Sequence, residues 1–338
     1  MLVSFHCFVI IFLNKRCQRG FMFNADKFIE QAVDDIKIRI GKEKAITAVS
    51  GGVDSFVAAA LASRAVPNQL YVYYVDTGLM RKGETEGVKE AAKAAGIKLS
   101  VIDAKNRFFS ALKGVFDPEQ KRKIIGRLFV EIFNEEAKKH GATFLIQGTI
   151  APDWIESGGL GRDTIKSHHN VGGLPEKMDL KLCEPLRELY KHEVREVAKA
   201  LGLPSSISER QPFPGPALAI RVVGEVTPEK VEIVREVCAI VEEEIEKEWR
   251  SGRIERPWQY FAALLPVKIV GVRGDERAYQ YAVVIRAVRS LDGMTANFSH
   301  LPLDLLERMS TRITNEVRSV GRVFYDITNK PPGTIEME

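Results

Sequence analysis

AVSGGVDSFVAA, residues 48–59, decides the fold. It passes from a short strand-like run through Ser50, Gly51, Gly52, Val53, Asp54 and Ser55 into an apolar run that reads as a helix. A glycine-rich turn between strand and helix makes an anion cradle: glycine lets backbone N–H groups approach closely, and the helix start adds the positive end of its dipole. Neither G-x-x-x-x-G-K-[ST] nor G-x-G-x-x-G is present, so this is neither the lysine-bearing phosphate loop nor the dinucleotide fingerprint. An aspartate here would repel phosphate unless a cation lay between them, so Asp54 reads as a Mg²⁺ ligand, with Ser50 and Ser55 as hydroxyl donors. The competing reading is an ordinary N-cap by Ser50 or Asp54; Gly-Gly with two hydroxyls exceeds what a cap needs.

Outward from that turn, strand-like runs alternate with helical ones: KAITAVS, a helix from about Asp54, QLYVYYVD, a helix over ETEGVKEAAKAAG, KLSVIDA, a long helix near 118–140, then ATFLIQG. Short runs rich in Val, Ile and Tyr between helices indicate β-α units around a covered parallel sheet, whose ligands sit at the carboxyl ends of the strands. Ser50, Asp76, Gly148 and Thr149 all fall just past such ends. Residues 148–180 break the rhythm with a glycine- and histidine-containing connection, either a functional lid or a disordered stretch. After a helix near 190–201 and the proline-rich ERQPFPGPALAIRV, the order becomes strand, helix (about 227–248), two strands, helix (about 302–317) and strand. The expected fold is α/β, a Rossmann-like parallel-sheet domain of the adenine-nucleotide-hydrolase type over residues 22–215, with a smaller α+β domain over 216–338.

Composition sets the limits. The 338 residues, 45% hydrophobic and 28% charged with a net charge of +4, suffice for two domains of roughly 100–200 residues each. The pI of about 8.7 falls short of the basic footprint of a nucleic-acid binder, while suiting a phosphorylated small substrate. Cys7, Cys17, Cys183 and Cys238 form no C-x-x-C pair, which fits a reducing cytoplasm. The apolar start is about a dozen residues, short of the ~20 that span a bilayer, and has neither a basic region before it nor a cleavage site after it. FNADKFIEQAVDDIKIRIG reads as the true opening helix, with Asn24 as N-cap and Gly41 as terminator, so residues 1–21 are expected to carry no function.

The S-G-G-x-D-S turn resembles the pyrophosphatase loop of the N-type ATP pyrophosphatases, which cleave ATP between the α and β phosphates and adenylate an acceptor. VDTGLMRKGE, KRKIIGRLFVEIF, QGTIAPDWIES, KSHHNVGGLP, CEPLRELYKHEVR, QPFPGPALAIRV, GDERAY, DGMTA and RVFYDITNKPPGTIEME are together similar to the ATP-pyrophosphatase and dimerisation parts of GMP synthetases, from about residue 24 to the C-terminus. The resemblance implies that Ser50, Gly51, Gly52, Val53, Asp54, Ser55 and Phe56 hold the pyrophosphate end of ATP. It further implies Val75 beside the adenine, Gly148 in the same nucleotide site, and Mg²⁺ on Asp54. Xanthosine monophosphate (XMP) would be bound by Arg122, Asp275, Lys330 and Glu336. Asp153, Glu156 and Lys166 would lie in a lid closing over the reacting groups, with His168 and His169 as acid–base candidates. PFPGP is either a rigid interdomain turn or a contact to the XMP phosphate.

Two departures qualify the pattern. The family tail usually ends I-E-W-E and this one ends IEME, removing a stacking side chain at Met337; Phe56 replaces a small hydroxyl residue and is expected to pack. Only about 40 residues precede the first strand, far fewer than the ~100–200 of a domain, so the expected partner is a separate glutaminase that supplies ammonia. The expected assembly is a homodimer through the C-terminal domain, with no nucleic-acid or membrane partner. The rival readings are a ligase that keeps the loop but modifies tRNA or forms NAD, and a non-catalytic ATP-binding protein.

Overall fold

The computed structural model describes residues 23–152, 180–208, 210–291 and 293–338. Five parallel strands, β1 (Ala45–Ala48), β2 (Leu70–Asp76), β3 (Leu99–Asp103), β4 (Phe144–Ile146) and β5 (Lys181–Cys183), form one sheet in the order β3-β2-β1-β4-β5. Pairing β1 with both β2 and β4 puts the strand order's reversal at β1, so the turn after Ala48 opens at the switch point where such sheets bind ligands.

Helices cover both faces. The opening helix Ala25–Ile40 is capped as the sequence predicts: Asn24 accepts from the Lys27 N–H, and Gly41 at φ 57° ends it. With Val53–Ala65 and Lys191–Ala200 it builds one core, onto which Ala45, Val72, Tyr74, Phe144 and Ile146 project. The alternate strand residues Ile46, Tyr73 and Leu145 face the other way and meet Ala137 of the long helix Pro118–His140. Period-two alternation sorts the two faces.

The second sheet is mixed. β6 (Gln259–Arg273) and β7 (Glu276–Arg289) form a long antiparallel hairpin, and β7 also pairs with β8 (Asn297–Phe298) and, in parallel, with β9 (Val320–Tyr325). The register slips between Leu264 and Lys268, around Pro266, which has no N–H to give the ladder. The helices Pro228–Arg250 and Leu303–Glu316 pack on this sheet.

Several details differ from the sequence expectation. The strand expected beyond the proline-rich stretch does not form: the stretch itself ends in a short 3₁₀ helix, Ala217–Arg221, and Val222 makes only an isolated bridge to Leu264 before the helix Pro228–Arg250. Ala217 has φ 56°, and its successor donates an N–H to Leu79 O at 2.9 Å, tying the turn to the loop after β2 instead of to a ladder. The helix Lys105–Leu112 and strand β5 lie outside the expected order of elements. Both are too short to show a period. One core also spans both parts of the chain: Val75, Leu79, Phe108, Ile125 and Leu128 pack with Val222, Val234, Phe261 and Ile285.

Candidate active site

At the carboxyl end of β1 the chain turns through Ser50–Gly52 into Val53–Ala65. Gly52 is the N-cap, at φ −84° and ψ 151°, with no side-chain cap bond. No described side chain therefore takes the first N–H groups of this helix, which is the arrangement an anion needs. The hydroxyls converge: Ser55 Oγ receives the Ser50 N–H at 3.1 Å, lies 3.1 Å from Ser50 Oγ, and donates to Gly52 O at 2.9 Å. Gly51 sits at φ +83°, and a Cβ there would collide with Glu84 Oε1. Gly148 presses its backbone on the helix start; a Cβ would fall 2.7 Å from the carbonyl carbon of Asp54 and 2.9 Å from Ser55 N. Only glycine allows either approach. Phe56 is fully buried in the first core, and its N–H goes to Gly52 O at 3.3 Å inside the helix.

Asp54 stands over this cradle. Its Oδ2 accepts from Lys191 Nζ at 2.5 Å, and its Oδ1 is buried with no hydrogen-bond partner among the described residues. Thr149 Oγ1, just past β4, is likewise buried and unpartnered. Native proteins leave few buried polar atoms unpaired, and such atoms at a strand end mark a place for a ligand. Among the described residues no cluster of three or more His, Cys, Asp or Glu could hold a metal by itself. Mg²⁺ does not require one: it keeps several waters and binds through one or two carboxylates plus substrate phosphates. The orphaned Oδ1 fits Asp54 as that single protein ligand. Past β2, Asp76 accepts the Gly78 N–H and the Thr85 hydroxyl, both at 3.0 Å, while Lys105 lies 3.3 Å from its Oδ2. Val75 turns its side chain into the second core.

The residues expected at the XMP end are placed apart from the phosphate loop in sequence and differ among themselves. Glu336 is held by Arg221, which donates through Nε at 3.0 Å and NH2 at 2.9 Å, and by Gln259 Nε2 at 2.8 Å. Arg221 is 1% exposed. Burial pulls its guanidinium down, and the adjacent Glu336 carboxylate more than reverses this, raising it above its ordinary value. Lys330 Nζ donates to Gly293 O at 2.8 Å. Arg122 is partly exposed, with Glu119 at 3.7 Å, whereas its neighbour Lys121 is fully buried and bonds Val222 O at 2.9 Å and Glu338. Burial lowers the Lys121 ammonium against the opposing pull of Glu338. Asp275 is exposed in the turn of the β6–β7 hairpin. Asp153, Glu156, Lys166, His168 and His169 lie outside the described residues.

Sequence reasoning missed Lys191, Glu84 and Arg210. Glu84, buried at the start of the helix Glu84–Ala94, receives a two-pronged bond from Arg210, which also reaches Gly51 O at 3.4 Å. Each is a single charged residue in a helix or loop, far along the chain from the turn it touches, and nothing local distinguishes it from a solvated one.

Comparison with known proteins points one way. Residues 243–337 match the GMP synthase C terminal domain family. The chain is 61% identical over 313 residues to the B-type subunit of glutamine-hydrolyzing GMP synthase from Pyrococcus horikoshii, covering 92% of this chain and 99% of that one. It is 57% identical over 318 residues to the subunit of the same name from Methanocaldococcus jannaschii, covering 94% of this chain and all of the other. Against the glutamine-hydrolyzing GMP synthase of Thermotoga petrophila the identity is 54% over 331 residues, covering 94% of this chain and 66% of that one.

Proposed function

The chain belongs to the family of B-type GMP synthase subunits, and on that premise we propose that it forms GMP from XMP, ATP and ammonia, the ammonia coming from a separate glutaminase subunit. The observation that carries the reading is the cradle itself: helix N–H groups and an aspartate oxygen that no described residue pairs, beside two converging hydroxyls, at the sheet's switch point.

In the first step O2 of XMP attacks the α-phosphorus of ATP, the bond to the β-phosphate breaks, and pyrophosphate leaves. Ammonia then adds at C2, a proton is lost, and the C2–O2 bond breaks to release AMP and GMP. The N–H groups of residues 51–55 and the Ser50 and Ser55 hydroxyls bind the β and γ phosphates as leaving group. Phe56 serves by packing, Gly148 by letting β4 approach the cradle, and Val75 by its place beside the adenine. Asp54 would hold Mg²⁺, which when bound neutralises phosphate charge; Lys191 neutralises the same carboxylate from its other side. Arg122, Asp275, Lys330 and Glu336 bind XMP, Asp153, Glu156 and Lys166 act on the reacting groups from the connection after β4, and His168 is the acid–base candidate. Rate comes chiefly from positioning and fixed charges in a site that excludes water, since water would hydrolyse the adenylate.

The division of labour follows a boundary near residue 216. Val270, Val272 and Tyr279 share one face of the β6–β7 hairpin and are exposed, which supports a homodimer through the C-terminal domain. Among the described residues no helix is long and apolar enough to cross a membrane, and Cys183 and Cys238 are free thiols, which supports a reducing cytoplasm.

The test is a screen for pyrophosphate release with Mg-ATP and XMP, deamido-NAD or tRNA in turn, using ammonium or glutamine as nitrogen source. Repeated turnover with XMP and ammonium, rising with pH below the ammonium pKa, and no more than a single turnover's release with glutamine alone, is the expected result. Turnover with deamido-NAD or tRNA in place of XMP would overturn it.

A further inference from the structure

A buried carboxylate beneath a phosphate cradle has the wrong sign for its place. Glu84 is 4% exposed and begins a helix that Gly83 enters at φ 68°. A Cβ on Gly51 would strike its Oε1, so the cradle lies directly on it. An unpaired buried carboxylate is costly, and here it would also repel the anion above. Arg210 answers both problems: NH1 donates to Glu84 Oε1 at 2.6 Å, NH2 to Oε2, and NH1 reaches Gly51 O at 3.4 Å. The planar guanidinium fork suits a two-pronged bond that an ammonium cannot make.

Arg210 is itself held from the other sheet. Gln211 accepts the Tyr260 N–H through Oε1 at 2.9 Å and donates to Glu242 at 3.1 Å. Pro212 O receives Arg81 and Gln259, both at 3.4 Å. Phe213 has the Arg81 guanidinium 4.2 Å and the Arg221 guanidinium 5.1 Å from its ring centre. Residues 211–213 are therefore bound to β6, to the helix Pro228–Arg250 and to the arginine that holds Glu336. Arg210 stands on them as a fixed post, with the cradle registered against it.

We propose that Arg210 and Glu84 are positioning residues for ATP: the pair fixes the Gly51 peptide so that the loop N–H groups face the phosphates, and it keeps the buried charge beneath them neutral. The proposal rests on the nucleotide-loop reading above, and direct binding separates the two. Arg210→Lys, Glu84→Gln and the double variant would be compared with wild type for Mg-bound non-hydrolysable ATP analogue by calorimetry, for the KM of ATP and of XMP, and for thermal midpoint. Each single variant should weaken analogue binding and raise the ATP KM about tenfold or more, leaving the XMP KM within about twofold. The double variant should be no worse than the weaker single, because both act through one pair. If Glu84→Gln does not fold, Arg210→Lys, which keeps the charge and loses the fork, carries the test. Analogue affinity within about twofold of wild type in folded Arg210→Lys, or ATP and XMP KM values rising together, would overturn the proposal. A wild-type chain that binds the analogue but gives no XMP-dependent AMP would instead sink the GMP synthase reading and leave this one standing.

Discussion

The phosphate loop and the C-terminal tail are both assigned to substrates, and their polar groups are in opposite states. At the loop, Asp54 Oδ1 and Thr149 Oγ1 are buried without partners among the described residues, and no described side chain caps the helix N–H groups. At the tail, Glu336 is bonded to Arg221 and Gln259, Glu338 to Lys121 and the Gly224 N–H, and Lys330 to Gly293 O. The first region leaves polar groups that no described residue satisfies. The second satisfies itself, so its side chains stabilise the fold whatever part they take in binding. Removing a group from the loop should therefore cost activity with little stability, and removing one from the tail should cost both.

Asp54→Ala gives the largest effect. Losing a charged group that acts on the reacting phosphates costs on the order of 10²–10³ in rate, whereas its half-exposed pair with Lys191 contributes at most about 1 kcal/mol of stability. We expect XMP-dependent AMP formation to fall at least 10²-fold, with a thermal midpoint within about 2–4 °C of wild type. A variant that keeps its turnover would remove Asp54 from the mechanism.

Glu336→Gln should cost both stability and substrate binding. It leaves the Arg221 guanidinium, 1% exposed, without its carboxylate, and breaking a buried pair from one side costs about 3–5 kcal/mol. The midpoint should drop by several degrees and the XMP KM should rise, with the ATP KM little changed. Equal effects on the two substrates, or no loss of stability, would blur the distinction between the regions.

How far the sequence foretells these regions follows from how local each signal is. The cradle is legible because its glycines, hydroxyls and aspartate are consecutive, and the sheet because β1, β2 and β4 alternate or run apolar between long helices. Lys191 and Arg210 are not, since each meets the loop only through a fold that brings residues 137 and 159 positions apart together. In KRK the family pattern favours Arg122, yet the fully buried member is Lys121; one turn of helix carries no signal for which lysine or arginine faces inward. The 3₁₀ turn at Ala217–Arg221 is not legible, because an apolar run of five residues is too short to show any period.

That turn supplies the smallest test. Ala217 is buried at φ 56°, a left-handed backbone costing a non-glycine residue about 1–2 kcal/mol. In Ala217→Gly, relief of that cost should offset the lost methyl, leaving stability within about 0.5 kcal/mol of wild type. Ala219→Gly in the same turn, where nothing is relieved, should lose about 1–2 kcal/mol. Chemical denaturation of both variants separates them, and equal losses would mean that the tail-side turn stores no such strain.

The central claim is that the open loop holds pyrophosphate as a leaving group while O2 of XMP takes the adenylyl group. The direct measurement is the fate of oxygen-18 placed at O2 of XMP, followed by mass spectrometry after turnover with Mg-ATP and ammonium. The account predicts the label in the phosphate of AMP, one atom per GMP formed, and none in pyrophosphate. Label in pyrophosphate, or unlabelled AMP alongside GMP, would contradict it.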